Sequence, residues 1–311
     1  MRFLVTGGAG FIGSNIVQGL LERRIAVRVL DNFSTGKREN LSPFLGDIEL
    51  VEGDIRDYRT VREAVDSVDF ILHQAALPSV PRSIKDPITT NAVNVEGTLN
   101  ILKAARDARV KRVIYASSSS VYGNSEALPK SEDMAPSPLS PYAVSKLAGE
   151  KYCQVFWRTY GLETACLRYF NVFGPRQDPS SQYSAVIPKF IGMLVKGKPL
   201  TIYGDGEQSR DFTYVDNVAD ANIRACTAPD VAGEVMNVAC GDRTTLNELV
   251  EAMKKLTNKN VEIKYTKKRV GDVEHSQADI GKARKLLGYE PRVTFMEGLK
   301  RTLEWYRQSS V

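Results

Sequence analysis

Tyr142 and Lys146 stand four residues apart in the stretch SPYAVSK, residues 140–146. On a helix such a pair shares one face, so the ammonium would lie beside the phenol and lower its pKa towards a value useful for taking up a proton. Ser117, Ser118, Ser119 and Ser120 form a run upstream, with Ser118 24 residues before the tyrosine. A hydroxyl of that run, set beside the phenol, would share the proton, and Ser117, Ser118 and Ser119 are all candidates. A second constellation lies near the start of the chain. Gly7, Gly8, Ala9, Gly10, Phe11, Ile12 and Gly13 satisfy both GxxGxxG and GxGxxG. Glycine is needed there for a tight turn, for close approach of a pyrophosphate and for packing of helix on strand. Free amides at the helix start, from Phe11 onwards, would hold the phosphates.

Asp31 lies 18 residues after Gly13, at the end of a predicted strand, where a carboxylate accepts hydrogen bonds from an adenosine ribose. It would repel a 2′-phosphate, so NAD is expected rather than NADP, and Lys37 and Arg38 read as solvated loop charges. Asp54 and Ile55, after another strand, are placed to meet the adenine edge.

These residues need strands that end together and helices that begin there. Short apolar runs predict strands at Arg2–Thr6, Ala26–Leu30, Ile48–Glu52, Phe70–His73, Val113–Ala116, Thr164–Arg168 and Val235–Val238. Helical periodicity marks Phe11–Arg23, Tyr58–Val65, Asn91–Arg109 and Pro141–Thr159. Strands alternating with helices indicate an α/β fold, a doubly wound parallel sheet of the Rossmann type. After Asn171 the regularity breaks at Pro175, Pro179, Pro188 and Pro199. The expectation is a dinucleotide-binding domain over residues 1–170, with a segment of about 212–240 returning to it. Residues 171–311 then form most of a smaller mixed α/β lobe. Ligands in such sheets bind beyond the carboxyl ends of the strands.

Composition agrees with a globular protein. The 311 residues are 42% hydrophobic and 25% charged, and the net charge of +5 hints only weakly at anionic ligands. Cys153, Cys166, Cys226 and Cys240 show neither a CxxC pair nor a zinc spacing, so reduced thiols in a cytoplasmic protein are expected. With only His73 and His275 as histidines, no metal site is expected. Phe3–Leu21 lacks charge, but its five glycines make it a poor membrane span, and no motif suggests nucleic-acid binding.

The sequence resembles the extended short-chain dehydrogenase/reductase family, and within it the UDP-hexose 4-epimerases. The resemblance rests on TGGAGFIGS (6–14), DNFSTG (31–36), GDIRD (53–57), HQAA (73–76), SSSSVYG (117–123), SPYAVSK (140–146), LRYFNVFGPRQ (167–177) and GDGEQSRDFTYVDN (204–217). It implies tightly held NAD, contacted also by Asn32, Ser34, Gly36, Ala75 and Ala76. It implies Tyr142 as the base at O4, with hydride leaving C4 and returning to the other face of a transient 4-keto sugar. Ser118 matches the catalytic serine or threonine of the family best.

On the substrate side the resemblance implies that Arg210 and Arg269 hold the diphosphate, a task for which guanidinium groups are suited. Asp272 would bind the uridine ribose, Asn171 the sugar diphosphate, and backbone near Val186 and Tyr203 the uracil. A gate position falls on Ser276, whose small side chain leaves room for a 2-acetamido group. The stretch Ser79–Ala92, with Gln177 and Ala185, resembles the branch that prefers N-acetylated sugars, although Pro78 stands where that branch often has glycine. The implied substrates are UDP-GlcNAc/UDP-GalNAc, then UDP-Glc/UDP-Gal. A glucuronate 4-epimerase is an alternative, with Arg82 as its only nearby carboxylate ligand, and a non-catalytic NAD(H) sensor is another. Dehydration is disfavoured because Ser119 and Ser120 stand where the dehydratases need Asp-Glu. A homodimer paired through helices at about 91–109 and 141–159 is expected.

Overall fold

The computed structural model describes residues 1–179, 185–259, 261–268 and 274–308. The strands are β1 (Arg2–Thr6), β2 (Ala26–Asp31), β3 (Ile48–Glu52), β4 (Phe70–His73), β5 (Arg112–Ser118), β6 (Glu163–Tyr169), β7 (Val172–Phe173), β8 (Leu200–Tyr203), β9 (Ser209–Arg210), β10 (Thr213–Tyr214), β11 (Glu234–Val238), β12 (Thr244–Thr245) and β13 (Ile263–Thr266). The helices are α1 (Phe11–Glu22), α2 (Tyr58–Val65), α3 (Val80–Lys85), α4 (Pro87–Asn91), α5 (Gly97–Asp107), α6 (Pro141–Tyr160), α7 (Val186–Val195), α8 (Val215–Thr227), α9 (Leu246–Thr257), α10 (Gly281–Leu287) and α11 (Phe295–Gln308).

Seven strands form one sheet in the order β11-β6-β5-β4-β1-β2-β3, every pair parallel. This is the doubly wound Rossmann-like sheet expected. Its strand order reverses between β1 and β4, which opens a crevice there. Alternation along β1 explains why both faces need helices: Phe3 and Val5 enter one core with α1 and α8, whereas Leu4 enters the other with α2 and α5. A third core joins α7, β8, α9 and α11.

Two boundaries differ from the sequence expectation in ways that matter for the site. β5 runs on through Ser117 and Ser118, because these serines stay in register with Arg168 and Tyr169 of β6. The helix expected from Asn91 begins at Pro87, and a π-helical turn at Ala92–Glu96 joins α4 to α5. Asp86 caps it by accepting from the Thr89 amide. No helix among the described residues is long and apolar enough to cross a membrane.

Candidate active site

The glycine loop is shaped by contacts that exclude side chains. Gly7 has φ of +68°, and a Cβ there would lie 2.7 Å from the Ala75 amide nitrogen. Gly10 is the N-cap of α1 and has no side chain to offer the first-turn amides, which have no acidic neighbour either. These amides are left to an external anion. Segment 36–40 folds over the loop: the Lys37 amide and Asn40 Nδ2 both donate to the Ala9 carbonyl, at 3.0 and 2.8 Å.

Beneath the loop lies a cavity of about 740 Å³. Its wall contains every residue expected to meet the dinucleotide, from Gly7, Gly10, Phe11, Ile12 and Gly13 through Asp31, Asn32, Ser34, Gly36, Asp54 and Ile55 to Ala75, Ala76, Tyr142 and Lys146. Asp31 is buried, and its two oxygens accept from the amides of Ala9 (2.9 Å) and Phe33 (2.8 Å), which aims the remaining lone pairs at the cavity. Burial nevertheless pushes its pKa up, and the two amides oppose that shift. Asp54 is pulled down to about 2, chiefly by the Arg56 guanidinium, and Asn32 also donates to it. The amides left open at the helix start, the oriented Asp31 and the size of the cavity fit NAD.

At the far end of this groove α6 presents Tyr142 and Lys146. Ser140 caps the helix from the Ala143 amide and Pro141 occupies its first position, so the helix starts where the tyrosine must face the sheet. The Ser118 hydroxyl, which accepts from the Ser120 amide at 3.2 Å, lies near enough to the Tyr142 phenol to lower its pKa. Ser117, by contrast, donates to Glu150 Oε1 at 2.5 Å, and so is engaged away from the phenol. Lys146 is buried and donates from Nζ to the Ala116 carbonyl at 2.8 Å.

The electrostatics differ from the expectation drawn from the i, i+4 spacing. Burial holds the Tyr142 phenol above its ordinary pKa, and the Ser118 hydroxyl only partly offsets this. Lys146 lies 5.9 Å from the tyrosine ring centre, and its own pKa falls to about 8 because its charge is desolvated. The direction of the tyrosine's shift is thus set by its own burial, and that of the lysine by the loss of water around its charge.

The expected substrate residues fall into two groups beyond the cavity wall. Asn171 Nδ2 donates to the Asp211 carbonyl at 3.4 Å, Arg210 Nη1 to the carbonyls of Ser209 and Glu274, and the Ser276 amide to the Ser209 carbonyl at 3.0 Å. Asn171, Arg210 and Ser276 thus converge around β9. Val186 starts α7, and Tyr203 ends β8, with Lys189 of α7 5.5 Å above its ring. Arg269 and Asp272 lie outside the described residues.

Sequence reasoning missed several residues here. Asn94 sits in the π-helical turn, accepts from the Leu77 amide at 2.7 Å and donates to Ser145 Oγ beside Lys146. A π turn leaves no trace in hydrophobic periodicity. Lys37, read as a solvated loop charge, lines the cavity and pairs with Asp178 at 3.2 Å. Arg176 also lines it, donating to the Ser14 carbonyl and to Gln18. His73 is buried between Thr6 and Thr98 and driven to about pKa 3 by desolvation, so it is a neutral strut.

Residues 3–239 match the NAD dependent epimerase/dehydratase family. The chain belongs to that family. It is accordingly an NAD-using enzyme. Among relatives of known sequence, a putative UDP-glucose 4-epimerase of Methanocaldococcus jannaschii is 41% identical, over 99% of both chains. The UDP-glucose 4-epimerase of Mycolicibacterium smegmatis is 40% identical over 100% of both. Among solved structures, the UDP-N-acetylglucosamine 4-epimerase of Methanobrevibacter ruminantium, in complex with UDP-N-acetylmuramic acid, superposes with a TM-score of 0.95 at 40% identity, covering 99% of this chain and 98% of that one.

Proposed function

We propose that the protein interconverts the C4 epimers of a UDP-hexose, with UDP-GlcNAc/UDP-GalNAc as the favoured pair and UDP-Glc/UDP-Gal as a second. The observation that carries this reading is the Tyr142 phenol facing the dinucleotide groove, with Lys146 one helical turn on and the Ser118 hydroxyl near it at the end of β5. NAD, held by the residues of the glycine loop and Asp31, would supply hydride chemistry at C4. Tyr142 acts in its phenolate form, taking the O4 proton at Oη, while Ser118 hydrogen-bonds the sugar O4. Lys146, anchored on Ala116, faces the groove beside them. Arg210 meets the diphosphate, and by resemblance so does Arg269, with Asp272 on the ribose. Small Ser276 leaves room for the acetamido group. Arg82, which lines the cavity with Ser79 and Thr89, favours epimerisation of UDP-glucuronate as a second reading.

In this reading residues 1–170, with the segment 212–240, hold NAD, and the rest of 171–311 closes over the nucleotide sugar. A cytoplasmic homodimer is part of the proposal, supported by large apolar side chains exposed on α3, α4 and α6, among them Ile84, Ile88, Val144 and Val155.

The test incubates the protein separately with UDP-GlcNAc, UDP-Glc and UDP-GlcA and resolves the products by NMR. The 4-epimer of UDP-GlcNAc is expected. No epimer from any of the three overturns the activity, and epimerisation of UDP-Glc alone overturns the sugar preference.

A further inference from the structure

Three consecutive residues of β5 are tied to three successive turns of α6. The Ala116 carbonyl accepts from Lys146 Nζ, the Ser118 hydroxyl lies near the Tyr142 phenol, and Ser117 donates to Glu150 Oε1. The first two ties reach atoms that the proposed chemistry uses. The third does not, and it is the most elaborate. Arg168, the cross-strand partner of Ser117 on β6, forks onto Glu150 with two contacts of 2.8 Å. Ser117, Glu150 and Arg168 are exposed by only 3%, 1% and 4%.

Stability is a poor explanation for this cluster. Desolvating an ion pair offsets most of its attraction, and an apolar replacement is often as stable. Arg168 Nη1 is moreover buried without a hydrogen-bond partner, an added penalty. What the cluster does fix is geometry. Side chains alternate along a strand, so Ser117 turns towards α6 only when Ser118 turns away from its body, to the position from which it meets Tyr142 at the helix start. A carboxylate that grips Ser117 sets the height and rotation of the strand end against the helix that bears Tyr142.

We infer that Glu150 and Arg168, acting through Ser117, are positioning residues that hold Ser118 in register with Tyr142. The inference deepens the epimerase reading, and its kinetic test rests on that reading.

Ser117→Ala removes one oxygen and leaves the Glu150–Arg168 pair intact. In the NAD-loaded enzyme, kcat should fall about tenfold, since small misplacements of reacting groups have effects of that order. KM for the UDP-sugar, bound NAD and melting temperature should stay at wild-type values, and Ser117→Thr should restore kcat. A kcat within about twofold of wild type overturns the inference, and so does a loss that Ser117→Thr fails to repair. Glu150→Asp keeps the charge and shifts the carboxylate. Its effect on kcat should largely disappear in the Ser117→Ala background, whereas full additivity overturns the inference. Should the wild type epimerise none of the UDP-sugars, the proposed function fails, and crystal structures of wild type and Ser117→Ala with NAD decide this point separately. Ser118 Oγ within hydrogen-bond distance of Tyr142 Oη in the first and beyond it in the second supports the bracket, and an unchanged separation overturns it.

Discussion

Gly13 lies directly against Gly7: a Cβ at position 13 would stand 2.1 Å from the Gly7 carbonyl oxygen. That oxygen accepts the Gly10 amide at 3.1 Å and so fixes the turn beneath the open amides of α1. Gly13→Ala must therefore displace backbone, not a yielding side chain. Losing one charge-assisted hydrogen bond to a phosphate should weaken NAD binding by about ten- to a hundredfold. The variant should purify with little NAD, assayed after denaturation. Wild-type NAD content would show that the loop does not hold the pyrophosphate as described.

Lys146 carries a stability cost that its role in the groove requires. Its pKa falls from 10.5 to about 8 on burial. Between those values the unfolded chain binds more protons, so stability rises with pH across that window and the full penalty applies below it. At about 1.4 kcal/mol per unit, partly offset by the lost bond to Ala116, Lys146→Met should be about 1–3 kcal/mol more stable than wild type at pH 7. The difference should shrink towards pH 10, while turnover is lost at every pH. Urea unfolding of both proteins after removal of NAD tests this without ligand linkage. A less stable variant at pH 7 contradicts it.

What could be read from the sequence divides along physical lines. The sheet is legible because its strands, apart from the half-buried edge strand β3, are short runs buried on both faces, and the cofactor wall is legible because glycine positions and Asp31 follow from backbone geometry. The bracket of Ser117, Glu150 and Arg168 is not, since it joins residues brought together only by the parallel pairing of β5 with β6. The same holds for Lys37 with Asp178, 141 positions apart in the chain. Whether Ser117 or Ser118 faces the tyrosine is a matter of strand parity, which a strand ending at Ala116 does not extend to the serines.

The homodimer was expected on two helices at about 91–109 and 141–159, yet the exposed apolar side chains gather on α3, α4 and α6. Ile88 is 82% exposed and Val144 52%. Ile88→Glu combined with Val144→Glu should convert the protein from dimer to monomer on gel filtration while leaving the fold intact by circular dichroism. Wild-type elution at the 34.5 kDa of a single chain would remove the basis for a dimer.

Ser276 offers the sharpest test of sugar choice. Its amide is held by the Ser209 carbonyl, one residue before Arg210, so the backbone at 276 is fixed relative to the arginine proposed to grip the diphosphate. If residue 276 faces the sugar as proposed, a larger side chain there cannot retreat with its backbone and would fill the space that the acetamido group needs. Ser276→Tyr should lower kcat/KM for UDP-GlcNAc about a hundredfold, at the upper end of what steric exclusion from a pocket achieves. For UDP-Glc, which lacks the acetamido group, it should change by less than about threefold, because no group remains to clash. Equal losses on both sugars would mean that residue 276 supports the lobe without reading the 2-substituent, and the preference for N-acetylated substrates would then have to come from another wall of the pocket.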